Sequence, residues 1–294
     1  MRPIAVIAHQ KKSLGGGLDE LRRVLADRGY PEPMWFEASS SRKAAPLVQR
    51  AVKQGAKTLF IWGGDGTVQR SINALGSKRV DIALLPAGTA NLLATNLGIP
   101  IDLERAVDVG LGGARRRLDV GVLNGKRFAV MAGVGFDALA MRDADGHLKD
   151  HLGRLAYVVT GTRATHMKTR TVTITVDQRP WYHGDATCVL LGQMSSLGAG
   201  IHVFPDSRPD DGLLEIGVVS AETALQWARV LARLVVGQAQ SSPMTEMTQG
   251  RRVDVRLSRP TVYELDGGAR KAVTRIRARI EPSAITVCVP EAEQ

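Results

Sequence analysis

The stretch Thr58-Leu59-Phe60-Ile61-Trp62-Gly63-Gly64-Asp65-Gly66-Thr67 decides the fold. Its first half is a short, continuous apolar run, the mark of a parallel strand covered on both faces. Three glycines follow among the next five residues, and a helical pattern opens near Val68. Glycines at such a junction let the backbone turn sharply and bring bare N–H groups close to a phosphate. The helix behind them adds its positive N-terminal end. In such a loop Asp65 can reach a magnesium ion or its water shell, and Thr67 can offer a hydroxyl to a phosphate oxygen. The plainer alternative is an ordinary strand–turn–helix junction with Asp65 as N-cap; the match at all five loop residues favours a ligand loop.

A second loop downstream follows the same logic. Leu84-Leu85-Pro86-Ala87-Gly88-Thr89-Ala90-Asn91 again sets Gly and Thr between a buried strand (Ile82–Leu85) and a helix (Asn91–Leu97). Thr89 and Asn91 would offer hydrogen bonds to phosphate there. Alone this loop reads as helix capping. Beside the first it reads as the second wall of a crevice at the strands' C-terminal ends, where open α/β sheets bind ligands. Neither loop is a Walker A or a dinucleotide GxGxxG.

Upstream, Ile4–Ala8 is apolar, Leu18–Ala26 and Ala44–Gln54 are helical, and Pro33–Phe36 is extended. Strands alternating with helices predict a parallel α/β domain over residues 1–118. After that point the texture changes. Val120–Leu123, Phe128–Met131, Thr171–Val176, Thr187–Leu191, Leu213–Val219, Val253–Leu257, Val273–Ile280 and Ile285–Val289 all read as strands. Asn124-Gly125 and Asp266-Gly267 are hairpin turn signals, and helical patterns interrupt near Leu148–Thr165 and Ala221–Gly237. This predicts a mainly antiparallel β-sandwich over 119–294, with the last strand free to return to the first domain.

Composition narrows the partners. With 44% hydrophobic and 23% charged residues the chain is an ordinary globular sequence. The 39 Lys+Arg against 29 Asp+Glu give +10, a charge that favours polyanions. Cys188 and Cys288 sit in β-like runs and read as a buried, reduced pair. No stretch of about 20 residues is apolar enough to span a bilayer. Arg115-Arg116-Arg117, Arg251-Arg252 and Arg270-Lys271 with Arg275, Arg277 and Arg279 fit either an anionic membrane surface or solvated strand edges. No aromatic-interleaved basic strand points to nucleic acid.

The pair Gly63–Thr67 and Leu85–Ala94, continuing to Leu97-Gly98-Ile99-Pro100, resembles the diacylglycerol kinase catalytic domain family. More narrowly it resembles the soluble bacterial lipid kinases, related to sphingosine kinases and NAD kinases. The likeness extends to Leu118–Gly121, Ala132–Asp137, Pro209–Glu215 and Glu264–Gly267 in the family's order. The resemblance implies an α/β nucleotide-binding domain, a β-sandwich lipid-substrate domain, and ATP- and Mg²⁺-dependent transfer of a γ-phosphate to a lipid hydroxyl, diacylglycerol first. It implies nucleotide binding by Gly63, Gly64, Asp65, Gly66, Thr67, Gly88, Thr89 and Asn91, and a catalytic pair in Asp266, as base, and Asp65. It assigns a structural magnesium to Asp211 with the carbonyls of Arg208 and Leu213, and puts Asp119 with Asp65 in the catalytic magnesium–water network. A cytoplasmic enzyme bound peripherally to an anionic membrane surface is the corresponding expectation, with oligomeric state, a homodimer included, left open. An NAD kinase-like phosphotransferase and a non-catalytic nucleotide- or lipid-binding regulator are the alternatives.

Three departures from the family pattern stand out. His9–Gly16 replaces an Asn-Pro-x-Ser-Gly loop, Leu92 stands where many members carry Asp, and Gly268 stands where Glu is usual. Each lost group predicts slower turnover.

Overall fold

The computed structural model describes residues 2–135, 169–197 and 201–291, which fall into two compact units. One comprises Met1–Asp119 with Pro282–Gln294, the other Val120–Glu281. The helical pattern near Leu148–Thr165 and the motif residues Phe136 and Asp137 lie outside the described residues.

The first unit is a parallel sheet with helices. Its strands are β1 (Ile4–His9), β2 (Met34–Ala38), β3 (Thr58–Gly63) and β4 (Asp81–Pro86), in the spatial order β2-β1-β3-β4. All these pairings are parallel. The end of β16 (Val273–Val289) joins β4, also in parallel, with Thr286 opposite Asp81. Every residue of β3 and β4 is buried, so these strands read as unbroken apolar runs rather than alternating ones. The helices are α1 (Gly17–Asp27), α2 (Ala44–Lys53), α3 (Asp65–Leu75), α4 (Leu92–Asn96) and α5 (Leu103–Gly112). Helix α1 buries one stripe, since Leu21, Val24 and Leu25 fall at i, i+3 and i+4. Helix α5 packs so closely that a Cβ on Gly110 would lie 2.4 Å from the Phe60 ring.

This strand order fixes where a ligand can sit. The chain leaves β1 toward β2 on one side and leaves β3 toward β4 on the other, so the loops after β1 and β3 part at a topological switch point. Loop 10–16, the Gly64 turn with the first residues of α3, and loop 87–91 all emerge at that same end of the sheet.

The second unit is a β-sandwich. One sheet runs from β16 through β13 (Arg252–Thr261) and β8 (Arg170–Val176) to β9 (Arg179–Ala186), all antiparallel. It carries β5 (Ala114–Leu123) on β16, and β6 (Lys126–Phe128) pairs with β5. The other has the order β12 (Thr245–Gly250), β11 (Leu214–Val219), β10 (Cys188–Gly192), β7 (Met131–Val134), β14 (Tyr263–Leu265), β15 (Gly268–Ala269). Val172, Ile174, Val255 and Ile276 of the first sheet share one core with Val189, Leu191, Ile216 and Leu265 of the second. Helix α6 (Ala224–Val235) opens with a capping box in which Thr223 and Gln226 satisfy each other's backbone amides. Cys188 and Cys288 are buried free thiols, pushed up to about 12 and about 11 first by desolvation.

Several elements differ from the sequence reading. Helix α3 starts at Asp65, not near Val68, because the turn is closed by Gly64 alone. The run Phe128–Met131 is the junction between β6 and β7 rather than one strand. The two strands expected over Val273–Ile280 and Ile285–Val289 are one, β16, despite Pro282 and a positive φ of 49° at Ser283. Among the described residues no helix is long and apolar enough to cross a membrane.

Candidate functional site

The glycine loops of the first unit are locked to each other. Gly64 and Gly88 meet backbone to backbone: a Cβ on Gly88 would lie 2.4 Å from the Gly64 Cα, closer than any side chain tolerates. Neither Gly63, Gly64 nor Gly88 has a positive φ. Close approach, rather than left-handed backbone, is therefore what excludes a side chain here. Gly66 differs, since a Cβ there would meet only Ser41, at ordinary contact distance.

Asp65 makes the second link. Its Oδ1 accepts the backbone N–H of Leu92 at 2.6 Å, across 27 residues of chain. The N-cap of α3 is Gly64, with no side chain capping the helix, so Asp65 caps α4 instead of its own helix. Leu92, where the family resemblance leads one to expect a carboxylate, contributes its amide to this bridge.

Asn91 braces the second loop from inside. Its Oδ1 accepts Gly88 N at 2.8 Å, and its Nδ2 donates to the carbonyls of Pro86 (3.1 Å) and Gly88 (2.9 Å). It is buried and left-handed at φ 49°. Thr67 is buried as well, its side chain folded against Gly63, whereas Thr89 is exposed. Asn91 and Thr67 thus build the cradle, and Thr89 with the loop backbone presents its polar surface.

The loop after β1 is tied in too. Trp62 Nε1 donates to the carbonyl of Lys12 at 3.0 Å. His9 closes β1, and burial, helped by Lys12 and Lys11, holds its imidazole below the usual value.

Asp119 does not lie on a solvated strand edge. It is 3% exposed, and its Oδ1 accepts Ser283 N at 2.6 Å. That bond joins β5 to β16 where each strand reaches the boundary of the first unit.

In the second unit Asp266 sits in the β14–β15 turn, with φ values of 43° and 75° at Asp266 and Gly267. This is the turn chemistry its Asp-Gly pair predicts. Its carboxylate is held by three backbone amides: Ala129 N at 2.9 Å, Val130 N at 2.9 Å and Met131 N at 3.0 Å. The residue is 5% exposed. Glu264, which the sequence reading passed over, belongs to the same neighbourhood. Strand alternation turns Tyr263 and Leu265 into the core and Glu264 away from it. Its Oε2 is buried with no hydrogen-bond partner among the described residues. Desolvation, then the charge of Asp266, push the Glu264 carboxyl up to about 7.

The expected structural-magnesium residues are close in the fold. Asp211 is exposed and its Oδ1 accepts Leu213 N at 2.9 Å, while the Leu213 carbonyl accepts Gln193 Nε2 at 2.9 Å. Nearby, burial raises Glu215, and the charges of Asp211 and Asp206 raise it further. Among the described residues no cluster of three or more His, Cys, Asp or Glu is gathered as a metal centre.

A parallel α/β unit with glycine loops at its switch point, together with a β-sandwich unit, defines a kinase-type phosphotransferase fold. The sequence matches the model of the diacylglycerol kinase catalytic domain over residues 4–123. Residues 130–289 match that of the YegS C-terminal NAD kinase beta sandwich-like domain. A protein of Cronobacter sakazakii named probable lipid kinase YegS-like is 31% identical over 212 residues, 69% of each chain. The Bacillus subtilis protein named diacylglycerol kinase is 30% identical over 209 residues, 70% of this chain and 69% of that one. A diacylglycerol kinase structure from Bacillus anthracis superposes with a TM-score of 0.76 at 19% identity, covering 98% and 97% of the two chains. An NAD kinase from Archaeoglobus fulgidus shares the fold more distantly, with a TM-score of 0.57 at 11% identity over 97% of this chain and 93% of that one. This chain belongs to the diacylglycerol kinase-like family of lipid kinases.

Proposed function

We propose that this protein transfers the γ-phosphoryl group of ATP to the hydroxyl of a membrane lipid, with diacylglycerol the first acceptor to test. The observation that carries the reading is the paired cradle: Gly64 against Gly88, bridged by Asp65 and braced by Asn91. Phosphoryl transfer asks the protein mainly for positioning and charge stabilisation. A rigid loop pair at a switch point, backed by the uncapped N-terminus of α3, supplies both for a polyphosphate. The family membership supports the lipid as acceptor.

Asp266 is the carboxylate we assign to the acceptor hydroxyl. Its three amide donors fix the orientation a general base needs. Magnesium, when bound, would neutralise phosphate charge. Asp65 and the oxygen donors around Asp211, with the carbonyls of Arg208 and Leu213, are hard ligands of the type it takes. Asp119 is committed to Ser283 N, so we assign it the support of β5 and β16 beside that network.

A radiolabelled-ATP assay across diacylglycerol, sphingosine, ceramide and NAD tests the reading. Label on diacylglycerol is the expected result. Label on NAD alone would favour the NAD kinase-like alternative, and label on none would favour a non-catalytic regulator.

A further inference from the structure

We propose that the outer face of β13 and β16 is a phosphate-binding groove that seats the protein on the headgroups of anionic lipids in a bilayer. The proposal rests on the lipid kinase reading for its choice of occupant and on the structure of one sheet for everything else.

Alternation along these strands sends Val253, Val255, Ile276 and Ala278 into the core. Arg252, Asp254 and Arg256 on β13, and Arg275, Arg277 and Arg279 on β16, therefore face outward. The register sets Arg252 opposite Arg279, Asp254 opposite Arg277, and Arg256 opposite Arg275. Two of these three rows are like-charge pairs, an arrangement that destabilises a sheet unless something lies between the charges.

The outward residues border a groove of about 740 Å³, with Arg252, Arg256, Arg277 and Arg279 on its walls. Among the described residues Asp254 is the one carboxylate lining it. It is already taken by Arg275, whose Nε lies 2.9 Å away, and by Arg277 at 3.7 Å. Those arginines hold the Asp254 carboxyl below its usual range. Glu281, just beyond the groove, is shared between Arg127 at 2.6 Å and Arg279 at 2.5 Å. Among the described residues neither Arg252 nor Arg256 has a carboxylate within ion-pair distance, Arg256 only adding its charge to the field on Asp254, and both are exposed. The groove is thus a field of guanidinium groups with too few acids to neutralise it. Guanidinium is the planar fork that grips phosphate oxygens two at a time.

The lining separates lipid from nucleic acid. Among the described residues no aromatic ring borders the groove, so these offer no platform for stacked bases. An arginine near an anionic leaflet gains about 1 kcal/mol from it, or about fivefold in affinity. A kinase whose acceptor resides in a bilayer needs such a surface.

The test is co-sedimentation of the full chain, without nucleotide, with vesicles of phosphatidylcholine alone and of phosphatidylcholine with phosphatidylglycerol. We expect binding only to the anionic vesicles. Arg252→Gln, Arg256→Gln and Arg279→Gln combined should weaken it on the order of a hundredfold, from three charges at about fivefold each. The triple variant should stay folded, since it relieves the Arg252–Arg279 repulsion while Glu281, losing Arg279, keeps Arg127. Arg22→Gln with Arg23→Gln and Lys53→Gln removes the same charge from α1 and α2 and should leave binding intact. Equal loss in both triple variants, or none in the groove variant, would overturn the proposal. So would loss of binding to a single-stranded oligonucleotide while vesicle binding is kept. Phosphoryl transfer to short-chain diacylglycerol in detergent is read in parallel. If no transfer occurs while groove-dependent binding persists, the enzymatic reading fails and the groove stands.

Discussion

Asp65 and Asp266 invite comparison, because each is a glycine-flanked aspartate at the end of a β-strand, and they are built in opposite ways. Asp65 is half-buried and reaches across 27 residues to the amide of Leu92, joining two loops. Asp266 is buried and receives three consecutive amides from Ala129–Met131, joining a turn to the strand beside it. The first aspartate organises an open cradle from its rim; the second is clamped as firmly as a core residue. Glycine flanks alone do not distinguish these environments. Their partners, far away in sequence, do.

The largest expected effect breaks the clamped side. Asp266→Asn must place an amide group where three N–H donors point, so at least one donor loses its acceptor, at about 1–3 kcal/mol of stability. If Asp266 is also the base, kcat falls by 10²–10⁴-fold while ATP affinity holds. Melting curves and steady-state kinetics on the same samples separate the two effects. A variant that melts early but retains normal kcat would leave Asp266 a structural residue only.

Gly88→Ala attacks the cradle. Its Cβ would meet Gly64 at 2.4 Å and Asn91 Oδ1 at 2.6 Å, so the loops must part. Overpacking of this kind typically costs about 1–3 kcal/mol. Nucleotide binding, read by calorimetry, should disappear while the far-ultraviolet circular dichroism stays native. Gly66→Ala, with only ordinary protein contacts around it, should leave the loop pair together and melt like wild type.

Asp65→Asn sharpens the comparison further. The amide oxygen can still accept Leu92 N, so the fold should lose no more than about 1 kcal/mol, the neutral limit for such a bond. Phosphoryl transfer should nonetheless drop, because the charge is gone. Asp65→Ala removes both and should loosen the loop pair as well, measured as faster amide exchange at Leu92.

The last test, at Glu264, concerns stability alone and no step of the chemistry. Its carboxyl rises from 4.5 in the unfolded chain to about 7 in the fold. The folded state therefore binds the proton more tightly, and stability declines as pH rises through that window. Glu264→Gln does not titrate. It should match wild type near the lower end and melt higher above the upper end. Parallel melting temperatures across the whole range would show that the side chain is solvated.

Much of this was legible in the sequence, for identifiable reasons. β3 and β4 are fully buried, so their apolar runs announced themselves, and Asp266-Gly267 announced its turn. Helix α5 was hidden by Gly110 and Gly112, residues that read as a loop until Phe60 is seen to fill the space beside Gly110. β9 and β12 are edge strands with polar, irregular patterns, and half-exposed edges carry little period-two signal. β16 passes straight through Pro282 because Asp119, 164 residues earlier, holds Ser283 N. The candidate site followed the same rule. The glycines were visible, but the bridge from Asp65 to Leu92, the inward brace of Asn91 and the buried setting of Glu264 depend on contacts that no local pattern encodes.

The account turns on the cradle holding a nucleotide, and calorimetric titration of the folded protein with ATP and with ADP, with and without magnesium, measures that directly. Saturable binding, strengthened by magnesium and absent from Gly88→Ala, is the predicted result. No measurable heat from either nucleotide with folded wild-type protein would contradict it.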